Sequence, residues 1–169
     1  MAVGPEGARI ARADDTERVI ELAGQYLAEL AGARGGAALA HALDRTLRAA
    51  ALKHVIVGSD ACSLVVGTYD GAVVGLALVE HPPDVGRSGS PQDRPAKVRA
   101  LYVEPAMRGV GVGEAVLAEI LSLEAARGAT ALDAPALPGD GASKSFLEDM
   151  GFRARLLIMR RSLDSGSGP

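Results

Sequence analysis

One stretch limits this chain's fold more than any other: "LYVEPAMRGVGVGEAVLAEIL", Leu101 to Leu121. An apolar, strand-like run passes into a short proline-containing link, then into Gly109, Gly111 and Gly113 in alternation, then into an amphipathic helix. Glycines so close together weaken a helix and leave a strand little to pack. They suit a loop whose backbone comes near something, and a helix starting directly after them offers free N–H groups to an anion. The order predicts an α/β chain that holds an anion where a strand hands over to a helix.

The rest of the chain supplies the layers. A short first strand lies in "ARIARADD", and Asp14 with Glu17 marks a helix start before a face of Val19, Leu22, Ala23, Tyr26, Leu27 and Leu30. A second helix carries Leu39, Leu43 and Leu47 on one side. Two apolar runs joined at Asp70-Gly71 form a tight hairpin. A loop over Pro82–Pro95, a strand in "AKVRALYV", the glycine loop and a helix closed by Gly128 follow. Then come a strand in "TALDAPAL", a short helix "GASKSFLEDM" stopped by Gly151, and a last strand in "FRARLLIMRRSL". Antiparallel neighbours followed by a strand-helix-strand crossover predict a mixed sheet with helices on its faces. At 169 residues, 48% of them apolar, the chain suits one domain over residues 1–163, with "DSGSGP" (164–169) as a disordered tail.

Composition excludes several classes of function. Eighteen basic against twenty-one acidic residues leave a net charge of -3 and no Trp stands in the chain, so neither a basic field nor stacking platforms point to nucleic acid or an anionic membrane. Cys62 is the single cysteine, which fits a reducing, cytoplasmic setting. No apolar run approaches a membrane span and the first residues lack a signal peptide's apolar core.

The residues around the glycines separate one anion site from another. A dinucleotide fold sets its first glycine at the strand end, whereas "EPAMR" intervenes here and Glu114 takes the place of the third glycine. A triphosphate loop needs Lys and Ser or Thr after its last glycine, where this chain has Glu114 and Ala115. What remains is Arg-x-x-Gly-x-Gly, met by Arg108, Gly111 and Gly113. On this motif, and on "DGASKSFLEDMGF" less specifically, the chain resembles the GNAT family of acetyl-coenzyme A dependent N-acetyltransferases.

The resemblance implies an α/β (α+β) fold with a mostly antiparallel central sheet of about six to seven strands. It also implies acetyl-CoA as co-substrate, with no metal, and a small-molecule or peptide amine as acceptor. The pyrophosphate falls to the amides of Arg108, Gly109, Val110, Gly111, Val112 and Gly113, where the helix dipole adds roughly 0.3–1 kcal/mol. The pantetheine arm falls to the main chain of Leu101, Tyr102 and Val103, with the Val103 N–H polarising the thioester carbonyl. Asp140, Ser143 and Phe146 border the cofactor, although Asp140 and Ser143 serve equally as helix caps.

Proton transfer is where the chain departs from the family. The strand before the loop carries no carboxylate, and Leu147 stands where Tyr is common. Glu80 is the expected base, directly or through water; Glu104 and Asp133 read rather as solvated charges, and His81 as a loop residue. Arg34, Arg87, Arg94 and Arg99 give the acceptor side a basic bias that suits either an acceptor carrying a carboxylate or phosphate beside its amine or plain solvation. The competing reading is a non-catalytic module that binds acyl-CoA. The last strand could carry a homodimer.

Overall fold

A computed structural model of the chain describes residues 4–56, 61–82 and 94–159. The elements are β1 (Glu6–Ile10), α1 (Thr16–Gly32), α2 (Ala37–Ile56), β2 (Cys62–Tyr69), β3 (Ala72–Glu80), β4 (Pro95–Val103), α3 (Val112–Ala126), β5 (Ala131–Asp133) and α4 (Gly141–Asp149). Single 3-10 turns occupy Ala13–Asp15 and Pro105–Met107. The sheet order is β1-β2-β3-β4-β5, antiparallel throughout except for the parallel β4–β5 pair. This is the expected mixed α/β architecture, with five strands among the described residues rather than six to seven.

The missing strand is the last one. Residues 152–159 take no regular structure, and Leu156 to Met159 are 71% to 83% exposed. A strand exists only through a ladder partner, and β5, three residues long, offers this segment none. Its continuation over 160–163, the tail 164–169 and most of the Pro82–Pro95 loop (83–93, with Arg87) lie outside the described residues.

Alternation along the strands builds two cores. Leu64 and Val66 of β2 and Leu76 and Leu78 of β3 pack with Leu22, Leu43 and Leu47 of α1 and α2. Val65, Ala77 and Val79, from the intervening positions, pack with Val116 and Ile120 of α3 on the opposite face. The Asp70-Gly71 hairpin is as expected: both residues have positive φ, 47° and 81°, as a turn matched to the twist of its strands requires.

A bulge in β4 changes what the strand presents. Leu78 opposes Ala100 and Val79 opposes Val98, so Arg99 is an extra residue. Before it, Ala96 belongs to the α3 core; after it, Ala100 and Tyr102 belong to the α1/α2 core. One additional residue has exchanged the faces of the strand's second half, because side-chain direction has a period of two.

The entrance to α1 differs from expectation in its cap. Asp15, not Asp14, is the N-cap residue, and its carboxylate caps no helix amide: it accepts from the Arg12 N–H at 2.7 Å and from both terminal nitrogens of Arg9 at 2.6 and 2.9 Å. At the other end of the sheet, α3 sits hard on β2. A methyl group at Gly67 would stand 2.7 Å from Val112 Cγ1 and 2.8 Å from Val116 Cγ2. Gly67 therefore sets how deeply the start of α3 is seated.

Candidate active site

The glycine loop is shaped by two left-handed residues, Gly109 at φ 76° and Gly111 at 91°, a conformation costly for any residue with a Cβ. Gly111 is the N-cap of α3 and receives no side-chain cap. The first α-helical bond after it runs from the Ala115 N–H to the Gly111 carbonyl at 3.0 Å. The amides of Gly109, Val110 and Gly111 donate to no described residue, and those of Val112 and Gly113 lie in the first turn, where no i−4 acceptor exists. Gly113 has a different reason to be glycine. Its missing Cβ makes room for Phe146 of α4, whose ring Cζ would be 3.1 Å away.

The second part of the site is the edge of β4. The Glu104 N–H donates to the Val74 carbonyl at 3.0 Å, in step with the register Gly75↔Val103 and Leu76↔Tyr102. Because antiparallel pairs bond each other at alternate positions, Tyr102 commits its main chain to β3 while Leu101 and Val103 turn theirs to the opposite edge. β5 pairs there only with Pro95, Ala96 and Lys97, and Pro135, lacking an N–H, stands two residues beyond its end. The strands part after Lys97, leaving the N–H and C=O of Leu101 and the N–H of Val103 along an open cleft. The Val103 carbonyl accepts from Arg108 Nε at 2.9 Å.

This corrects one expectation. Tyr102 lends no main-chain group to the cleft; its ring lies on the α1/α2 side, tilted 45° to Tyr26 at 5.8 Å, and its hydroxyl donates to Gln25 Oε1 at 3.2 Å. The Arg108 side chain turns away from the glycines: its Nη2 reaches both oxygens of Glu29, at 3.0 and 2.7 Å, and its Cζ lies 5.5 Å from the centre of the Tyr102 ring. Only its amide remains for the loop, and that N–H points to the Pro105 carbonyl at a long 3.4 Å.

Around α4 the expected residues separate. Asp140 is the N-cap, its carboxylate accepting from the Ser143 N–H at 3.0 Å. Ser143 is exposed, Phe146 packs on the start of α3, and Leu147 is buried. The Tyr26 hydroxyl is pushed up to about 12 by burial, with Asp140 and Glu29 adding to the effect; burial raises Tyr102 as well. Neither phenol is tuned to give up a proton near neutral pH.

Glu80 closes β3 opposite Lys97 and pairs with Arg99 at 3.5 Å, both side chains near half exposed. Val103 lies six register positions from Lys97, about 20 Å at the rise of a strand. Glu80 and the Val103 N–H therefore cannot serve one reacting centre. Leu101, four positions from Lys97, is nearer, about 13 Å away on the same reckoning. The arginines do not converge either: Arg34 is exposed, Arg94 reaches to within 3.7 Å of a Cβ position at Gly128, and Arg99 is held by Glu80.

His81 stands just past the end of β3, outside any strand as expected of a loop residue, but it is buried. Its Nδ1 lies 2.8 Å from Glu124 Oε1 and its Nε2 3.2 Å from Ser63 Oγ. All three are under a tenth exposed, so the cluster ties β2 and the end of β3 to α3 and presents no nucleophile to solvent. Glu124 sits at a helix position that periodicity assigns to the core, and that polar residue on an apolar stripe was the available signal. Among the described residues no group of three or more His, Cys, Asp or Glu could hold a metal, and no helix is long and apolar enough to cross a membrane.

Comparison with known proteins places this geometry in context. The family model described as "Acetyltransferase (GNAT) family" matches residues 24–152. Among solved structures, the aminoglycoside acetyltransferase AAC(6')-Iy in complex with a bisubstrate analogue, CoA-S-monomethyl-acetylneamine, superposes with a TM-score of 0.68 at 17% identity, covering 93% of this chain and 98% of its own. An acetyltransferase of Trypanosoma brucei gives 0.61 at 25% identity, covering 94% and 99%. A ribosomal-protein-alanine N-acetyltransferase of Brucella melitensis gives 0.60 at 18%, also covering 94% and 99%. A search of curated protein sequences returned no match.

Proposed function

Because the chain belongs to the GNAT acetyltransferase family, we propose that it transfers an acetyl group from acetyl-coenzyme A to the primary amine of an acceptor by direct attack. The observation that carries the reading is the pair of unpaired main-chain donor sets, one on the open edge of β4 and one from Gly109 into the first turn of α3. A pyrophosphate calls for several converging N–H groups at a helix N-terminus, and Gly109 to Gly113 supply them. When bound, acetyl-CoA supplies an acyl carbon activated as a thioester.

The cleft residues then have separate tasks. The N–H and C=O of Leu101 and the N–H of Val103 bond the pantetheine arm, and the Leu101 N–H, nearer to Glu80, is the donor aimed at the acyl oxygen as negative charge develops there. Glu80 continues the face of Leu76 and Leu78 toward α1 and α2 and takes the acceptor's proton through water. Buried Leu147 offers no acid, so the thiolate leaves unprotonated and is neutralised by solvent.

The acceptor is a small-molecule or peptide amine. One structural neighbour carries an acetylneamine analogue and another is named for a ribosomal-protein alanine, so similarity of fold leaves both classes open. The lone cysteine supports action in the cytoplasm, and the exposed apolar Leu156–Met159 segment supports a homodimer. Calorimetric titration with acetyl-CoA, followed by thiol release over a panel of amines, tests the function. Binding with acceptor-dependent release is expected; binding without turnover on any amine favours a non-catalytic acyl-CoA module, and absence of binding overturns both.

A further inference from the structure

We propose that Glu29 of α1 is a positioning residue for the donor loop, acting through Arg108; this rests on the reading of that loop as the coenzyme A site. Arg108 stands where the loop begins, yet its guanidinium serves three partners behind the loop. Its Nε holds the Val103 carbonyl, its Nη2 is chelated by Glu29, and its plane lies beside the Tyr102 ring. A guanidinium fixed at three points is a strut, which an ammonium could not replace. It joins the end of β4, the entry to the glycines and one face of α1.

Glu29 sets where that strut stands. It lies one helical turn beyond Gln25, which receives the Tyr102 hydroxyl, so two successive positions of α1 grip the same end of β4. Removing the carboxylate leaves the Arg108 fork with the Val103 carbonyl and the ring alone. The first left-handed residue of the loop, Gly109, follows directly, and a Cβ placed there would meet nothing within 4 Å.

The alternative role for Glu29 is to neutralise Arg108, and it carries the opposite sign. If Glu29 only screens the guanidinium, its neutral form should tighten an anionic ligand. If it positions the loop, its neutral form should weaken the ligand by misplacing the amides. The full-length protein is titrated calorimetrically with acetyl-CoA in about 0.15 M salt, where distant charges are largely screened. Glu29→Gln is expected to weaken binding about two- to fivefold, the range an exposed ion pair can support. Glu29→Asp should recover part of the loss, and Glu29→Gln should add nothing once Arg108→Gln is present.

Hydrogen exchange at Met107–Gly111, read without ligand, should quicken in Glu29→Gln while the melting temperature stays near that of the unaltered protein. Tighter or unchanged binding in Glu29→Gln, or losses that add to those of Arg108→Gln, overturns the proposal and leaves the donor-site reading intact. Failure of the unaltered protein to bind acetyl-CoA overturns the donor-site reading itself, and this inference with it.

Discussion

Replacing Gly67 by Ala tests whether the seat of α3 on β2 fixes the donor loop. The new methyl would lie 2.7 Å from Val112 Cγ1 and 2.8 Å from Val116 Cγ2, about 0.8 Å inside an ordinary carbon–carbon contact. Both neighbours are β-branched helix residues with little freedom at χ1, so relief comes from lifting the first turn of α3. Overpacking of this kind costs about 1–3 kcal/mol, and exchanging glycine for alanine in a strand returns about 0.5–1 kcal/mol of chain entropy. The net loss is about 0.5–2 kcal/mol, a fall in Tm of about 1–8 °C for a chain of this size.

The same displacement moves the amides of Val112 and Gly113, so acetyl-CoA should bind about three- to tenfold more weakly, as misdirected charge-assisted hydrogen bonds do. Thermal melts and calorimetry measure the two effects separately. Val112→Ala in the Gly67→Ala background removes the closer clash and should restore part of both. Unchanged melting and affinity in Gly67→Ala, or no recovery in the double variant, would refute the idea that Gly67 sets the position of the helix.

Gly111→Ala should cost about 1–2 kcal/mol from its left-handed φ alone, and Gly109→Ala a similar amount, which urea denaturation of the two can compare. Glu124→Ala strips a buried partner from His81 and is expected to cost about 3–5 kcal/mol in the same assay. Arg9, whose guanidinium bonds Asp15, holds the Asp15 carboxyl below the usual carboxylate range. The stability it confers is therefore complete above about pH 4, the unfolded value, and lost as pH falls through the lower folded one. The stability gap between the protein and Asp15→Asn should be constant at neutral pH and close in acid, as denaturation at several pH values would record. Glu80→Gln should flatten the acid limb of the pH dependence of kcat/KM, and a superimposable profile removes Glu80 from the mechanism.

Local chemistry carried most of the fold into the sequence. The α1 and α2 faces follow the 3.6-residue period, the hairpin follows from Asp70-Gly71, and the loop follows from glycines whose φ values only glycine takes without strain. What escaped depends on residues far apart in the chain. The bulge at Arg99 leaves no mark on β4 itself, since it exists only as a mismatch with β3. Asp15 could not be preferred to Asp14 until Arg9 was seen beside it. The place of Arg108 in the motif assigns its amide to the loop and says nothing of its side chain, whose partner Glu29 lies far upstream. The last strand failed for the same reason: "RLLIM" has the composition of a strand and no described neighbour to pair with.

In the proposed reading the donor groups of this site are amides of the main chain, and that makes the site silent to the usual genetic probe. An alanine scan from Leu101 to Gly113 would report Gly109 and Gly111 for their backbone angles, Gly113 for the room it leaves Phe146, and Arg108 for its strut. It would pass over Val110, whose exposed side chain can change while its N–H group stays in place. Drift in that side chain leaves the loop's chemistry intact, so its persistence is written in conformation rather than in residue identity. Exchange of single amides for esters, which deletes an N–H and keeps the side chain, is the substitution to which this stretch would answer.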